Sequence, residues 1–95
     1  MKLLFIICES GVDVKVTDLL SSIGAPGYTR FTGGTGYGTS GPREGTPVWP
    51  GLNSLIIAAV PDEMVDAIRE QVTNLKAQRA GKLAVKIFVV PMEEW

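Results

Sequence analysis

Ninety-five residues with 45% hydrophobic content suffice for one domain, 1–95, built around one core. A net charge of −1 lacks the basic excess that a nucleic-acid or membrane-surface binder carries, which argues against both partners. The lone cysteine, Cys8, forbids an internal disulfide. With no histidine, a zinc or copper site of the usual ligand types cannot be assembled within one chain, so no metal site is expected.

Leu3 to Cys8 is a continuous apolar run, the pattern of a strand covered on both faces, and it places Cys8 in the core as a small hydrophobe. The run is too short to span a membrane and no small-residue cleavage site follows it, so a cytoplasmic protein is expected. After Glu9-Ser10-Gly11, the positions Val12, Val16, Leu19 and Ile23 form one helical stripe. Ser10 or Asp13 can cap its start, and Gly24 with Pro26 stops it. Tyr28 to Thr32 reads as a short second strand. Residues 33–51 then read as a connection from which no core can be built. Gly33-Gly34-Thr35-Gly36-Tyr37-Gly38-Thr39-Ser40-Gly41 continues through Pro42-Arg43-Glu44-Gly45-Thr46-Pro47 to Val48-Trp49-Pro50-Gly51. Connections of this length in small domains usually serve a function.

Asn53 to Val60 is strand-like, and Pro61-Asp62-Glu63 opens a second helix with its acids at the positive end of the dipole. Val65, Ile68, Val72 and Leu75 make its apolar stripe; Asp66, Glu70, Thr73 and Lys76 make a solvated face. Gly81 ends the helix. Leu83 to Val90 forms the last strand, with Leu83, Val85, Ile87 and Val89 on one side and Ala84, Lys86, Phe88 and Val90 on the other.

This order predicts an α+β, ferredoxin-like βαββαβ fold. Its antiparallel sheet carries both helices on one face, with a long glycine-rich loop, 33–52, between strands 2 and 3. One covered face calls for alternation, yet the strands at 3–8 and 55–60 are apolar throughout. A second copy of the chain is the simplest cover for the other face, so a homo-oligomer is expected.

Gly36-Tyr37-Gly38-Thr39-Ser40-Gly41 matches G-x-G-x-x-G, but Pro42 and further glycines follow where the dinucleotide fingerprint needs a helix. What remains is a nest: glycines that expose backbone N–H groups to an anion, hydroxyls from Thr35, Thr39 and Ser40, and charge from Arg43. Trp49, between Val48 and Pro50, has the character of an interface anchor. Arg43 and Trp49 are therefore the expected partner contacts. No catalytic constellation is present: Cys8 and Ser10 have no activating base, and the chain is read as a non-enzyme.

With these motifs placed, the chain resembles the P-II signal-transduction superfamily over nearly its whole length. The carrying segments are Gly27-Tyr28-Thr29, then Gly36-Tyr37-Gly38-Thr39-Ser40-Gly41, similar to the opening of the family's long T-loop. Val60-Pro61-Asp62-Glu63-Met64-Val65-Asp66 is similar to the start of its second helix, and Gly81-Lys82 with Lys86-Ile87-Phe88-Val89 to its B-loop and last strand. The resemblance implies a homotrimer with its sheets facing a threefold axis. It also implies an effector in the cleft between subunits: an adenine nucleotide (ADP, AMP or ATP) or a small anion such as bicarbonate. The T-loop would report effector state to a protein partner, a transporter or an enzyme. On the same basis Thr29, Gly36, Tyr37, Gly38 and Thr39 lie near the ligand, and Lys82 and Lys86 meet its phosphates.

The match is to a divergent member. Ala80-Gly81-Lys82-Leu83-Ala84-Val85-Lys86 is one residue shorter than the nitrogen-regulatory B-loop and lacks two glycines and an aspartate. The resemblance also implies that the arginine-bearing C-terminal segment is missing after Trp95, and no modifiable tyrosine stands in residues 39–51. Three other readings share the architecture or the loop. One is a ligand-free adaptor docking through Trp49. Another is a metal-tolerance trimer similar to CutA, left with carboxylates such as Glu9. The third is an acylphosphatase-type enzyme, for which Glu9-Ser10-Gly11 offers no arginine.

Overall fold

The computed structural model describes residues 1–38, 41–46, 51–78 and 83–95. The elements run β1 (Lys2–Glu9), α1 (Asp13–Ile23), β2 (Thr29–Gly34), β3 (Gly36–Gly38), β4 (Gly41–Arg43), β5 (Asn53–Val60), a 3-10 turn (Asp62–Met64), α2 (Val65–Gln78) and β6 (Val85–Pro91). The main sheet has the order β2-β5-β1-β6, and every pairing in it is antiparallel. This is the ferredoxin-like arrangement expected.

Alternation sorts the two faces. Leu4, Ile6 and Cys8 of β1, with Ser54, Ile56, Ala58 and Val60 of β5, point into a core closed by Val12, Val16 and Leu20 of α1 and Ile68 and Val72 of α2. The other face carries Leu3, Phe5 and Ile7 opposite Ala59, Ile57 and Leu55 of β5, flanked by Phe31 on β2 and by Phe88 and Val90 on β6. No element of the chain covers it among the described residues. Phe31 and Phe88 stay 54% and 52% exposed, so the continuous apolar runs have a face that the described residues do not fill.

Six details differ from the sequence reading. β2 runs two residues further, to Gly34, and residues 36–43 are not without structure: β3 and β4 pair as a small ribbon, Gly36 opposite Arg43 and Tyr37 opposite Pro42. Gly-Tyr-Gly against Gly-Pro-Arg hides this pairing, because such strands have no apolar period. The α1 stripe is turned by one position, to Val12, Val16 and Leu20 with Asp13 and Thr17 buried beside it; Leu19 and Ile23 are only half-buried. Val12 takes the cap position with no side-chain bond, and Asp13 starts the helix itself. Finally, a 3-10 turn precedes α2, and the last strand starts at Val85 with Val89 exposed. The expected end of α2 at Gly81 lies outside the described residues. Gly24 closes α1 in the left-handed conformation, φ 93°, which glycine adopts without a Cβ penalty. No helix among the described residues is long and apolar enough to cross a membrane.

Candidate functional site

A cavity of about 770 Å³ opens at the end of the sheet from which the ribbon departs. Four sheet segments converge there: the end of β1 (Ile7, Cys8), the end of β2 (Phe31, Thr32, Gly34), the start of β5 (Asn53 to Leu55) and the start of β6 (Val85, Lys86, Phe88). The ribbon supplies Gly36, Tyr37, Gly38, Gly41 and Arg43. Its size lies in the range of small-molecule sites, and its lining joins apolar walls to a few convergent polar groups.

The ribbon is placed by close backbone approach. A Cβ on Gly34 would stand 3.1 Å from the Asn53 carbonyl oxygen, so glycine there lets the chain leave β2 directly against β5; one on Gly36 would make ordinary contact, 3.5 Å, with Asn53 Nδ2. At its far side the ribbon is tied back by the Gly45 N–H donating to the Gly51 carbonyl at 3.2 Å, and Ser10 N–H donates to the Leu52 carbonyl at 2.9 Å.

Three cations line the cavity: Arg43, Lys76 and Lys86. Arg43 Nη1 lies 3.4 Å from Glu9 Oε2, and both side chains are half-buried. Neither lysine has a carboxylate within ion-pair distance among the described residues. The lining is thus electropositive, with one of its charges already opposed from within.

Under the floor of the cavity sits a buried carboxylate. Ser54 Oγ donates to Asp13 Oδ2 at 2.8 Å, and the N–H groups of Gly11 and Val14 donate to Oδ1 at 3.2 and 3.0 Å. Arg30 Nε stands 4.0 Å away. Burial acts to raise this carboxyl, but the Ser54 hydroxyl, the Val14 N–H, Arg30 and the Gly11 N–H outweigh it and hold it below the ordinary carboxylate value. The group fixes the start of β5, from which Asn53 and Ser54 face the cavity. Cys8 lines the same floor. Burial, with the charges of Asp13 and Glu9 adding, pushes its thiol up to about 11, so it stays protonated and poorly nucleophilic.

Of the residues singled out from sequence, Gly36, Tyr37, Gly38, Arg43 and Lys86 come together on this cavity. Tyr37 lines it yet remains 85% exposed. Thr29 sits at the start of β2 opposite Ile57 and is not part of the lining. Arg43, expected to face a partner, is turned inward toward Glu9. Thr39, Lys82 and Trp49 lie outside the described residues. Sequence reasoning missed Asp13, Asn53, Ser54 and Lys76. From sequence, Lys76 falls on the face of α2 opposite its apolar stripe. It stands four residues after the buried Val72, which puts its stem on the inner side of the helix, and that spacing was a usable signal. Among the described residues no three His, Cys, Asp or Glu side chains gather as a metal site would require.

A ferredoxin-like chain with an apolar sheet face that no described element covers, and an electropositive cavity beneath a glycine ribbon, has the build of a small regulatory protein. The chain belongs to the nitrogen regulatory protein P-II family, whose model matches residues 1–95. It is similar to the structure of CPII, a nitrogen regulatory PII-like protein from Thiomonas intermedia K12, bound to ADP, AMP and bicarbonate. That match has 32% identity and a TM-score of 0.72, covering 94% of this chain and 84% of the other. CPII bound to ADP, AMP and acetate matches at 28% identity and a TM-score of 0.70, over 98% of this chain and 88% of that one. The apo form of CPII matches at 28% identity and a TM-score of 0.66, over 94% and 87%. No curated protein matches the chain significantly.

Proposed function

We propose that this chain is a non-enzymatic, homotrimeric regulator that binds an adenine nucleotide, with ADP and AMP ahead of ATP, or a small anion such as bicarbonate, in a cleft between subunits. The observation that carries this reading is the cavity itself: glycine backbone from Gly36 and Gly38, aromatic surface from Tyr37, Phe31 and Phe88, and the cations Arg43, Lys76 and Lys86 on one concave surface. Backbone N–H groups and cations suit phosphates, and the aromatic and apolar walls suit a base. The CPII structures with ADP, AMP and bicarbonate support the same ligand classes here. The uncovered sheet face, with Phe31 and Phe88 at its margins, supports self-association and would bring a neighbour's surface to the cavity. Thr29, Thr39 and Lys82 remain expected ligand contacts. Trp49 and the rest of the glycine-rich segment would carry the signal to a protein partner, a transporter or an enzyme. A reducing, cytoplasmic setting fits the single protonated thiol.

A thermal-shift panel with ADP, AMP, ATP, cyclic AMP and bicarbonate, with and without magnesium, tests the reading. Native-state binding at a hundredfold excess over Kd adds about 2.7 kcal/mol. At about 4–8 °C per kcal/mol for a domain of this size, the shift exceeds 10 °C. A flat panel would replace the sensor by the ligand-free adaptor.

A further inference from the structure

The ion pair between Arg43 and Glu9 joins the β3–β4 ribbon to the end of β1. The Glu9 carboxylate stands on the end of a strand paired on both sides, to Asn53 of β5 in register and through its own N–H to the Ala84 carbonyl at 3.4 Å. Its position is set by the main sheet. Arg43 closes β4, and the β3–β4 ribbon shares no ladder with that sheet. The stem of Arg43 lies along Gly51: a Cβ there would come within 2.9 Å of Nη1 and 3.5 Å of Cγ. The side chain is therefore threaded past the returning strand segment to reach Glu9. Arg43 lines the cavity and Glu9 does not, so an occupant of the cavity meets the guanidinium on one side while the carboxylate holds it from the other.

We propose that Glu9 is an internal competitor for Arg43: an anionic ligand in the cavity takes the guanidinium over from the Glu9 carboxylate and so unties the ribbon from the end of β1. The inference rests on reading the cavity as an anion site. It assigns Glu9 two roles. As a specificity determinant, Glu9 penalises ligands whose charge is too small to replace a carboxylate, favouring a diphosphate over a monophosphate. As a tether, it makes ribbon release a consequence of occupancy, because a guanidinium fork engaged by phosphate oxygens cannot keep its fit to Glu9.

Calorimetric titration of ADP and AMP into wild type, Glu9→Gln, Arg43→Ala and the double variant tests the competition. Hydrogen exchange of segment 41–46 without ligand tests the tether. Glu9→Gln should tighten ADP about three- to fivefold, the factor a partly exposed ion pair is worth. It should narrow the ADP preference over AMP and speed exchange in 41–46. In the Arg43→Ala background the same substitution should change nothing, because the competed group is gone. ADP bound equally by wild type and Glu9→Gln would overturn the competition while leaving the nucleotide site standing. ADP bound by Glu9→Gln and not by wild type would support it. ADP bound by none of the four proteins would overturn the nucleotide site and this inference with it.

Discussion

Replacing Asp13 by alanine removes every acceptor that holds the first turn of α1 to the start of β5. The Gly11 and Val14 N–H groups belong to exposed residues, and water takes the place of the carboxylate there at small cost. Ser54 is different: it is 1% exposed, and its hydroxyl donates to Asp13 alone among the bonds seen. A buried polar group left without a partner costs about 1–3 kcal/mol. Loss of an acid from the first helical turn adds about 0.3–1 kcal/mol. The sum is about 1.3–4 kcal/mol at neutral pH, or a fall in Tm of roughly 5–30 °C for a domain of this size. Asp13→Asn keeps one acceptor and offers Ser54 an amide donor, so it should lose about half as much. Urea and thermal denaturation at one fixed protein concentration measure both, since the Tm of an oligomer depends on concentration. The pH dependence supplies a second check. The folded carboxyl titrates below its ordinary value of 3.8, so its contribution is full above that value and is lost as the pH falls through the folded one. The gap between wild type and Asp13→Asn should therefore narrow between pH 5 and pH 2.5. An alanine variant within 0.5 kcal/mol of wild type, roughly the scatter of neutral surface changes, would refute the account.

The uncovered sheet face and the buried thiol give two further tests. Phe88→Glu places a charge on the open face opposite Phe5 and should reduce the solution mass from oligomer to monomer in sedimentation runs; an unchanged mass would remove this face as the interface. Cys8 should ignore a thiol reagent in the native protein at pH 8 and react fully in guanidinium chloride; native labelling at the rate of a free thiol would contradict its burial and raised pKa.

The fold was legible because three of its four long strands and both helices announce themselves by apolar period, and because Gly24 and Pro61 stand where those elements begin or end. The unmatched hydrophobicity of Leu3–Cys8 also carried real information: it recorded a face that the helices do not reach. The candidate site was legible only where residue type is distinctive, as at Gly36, Gly38 and Lys86. Asp13 reads, with Ser10, only as a possible helix cap, because a lone acid before an apolar stripe looks the same whether it meets water or a serine forty-one positions away. The turn of the helix that buries it depends on how α1 lies on β5. Glu9 and Arg43 were likewise seen separately, since nothing in their spacing shows that the ribbon folds back over the end of β1. The ribbon itself was missed because Gly-Tyr-Gly against Gly-Pro-Arg has no hydrophobic alternation to read.

Gly34 and Asn53 face each other across the β2–β5 ladder, so the whole excursion between them leaves and re-enters the sheet at a single rung. A segment closed in this way can change length at little cost to the folding unit that carries it. Doubling its length would cost only about 0.6 kcal/mol of closure entropy, and none of its described residues belongs to the buried core. On the proposed reading, the recognition element of this architecture is thus free to diverge, lengthen or be exchanged between relatives while the scaffold stays the same. One fold can in this way acquire new clients without first acquiring a new core.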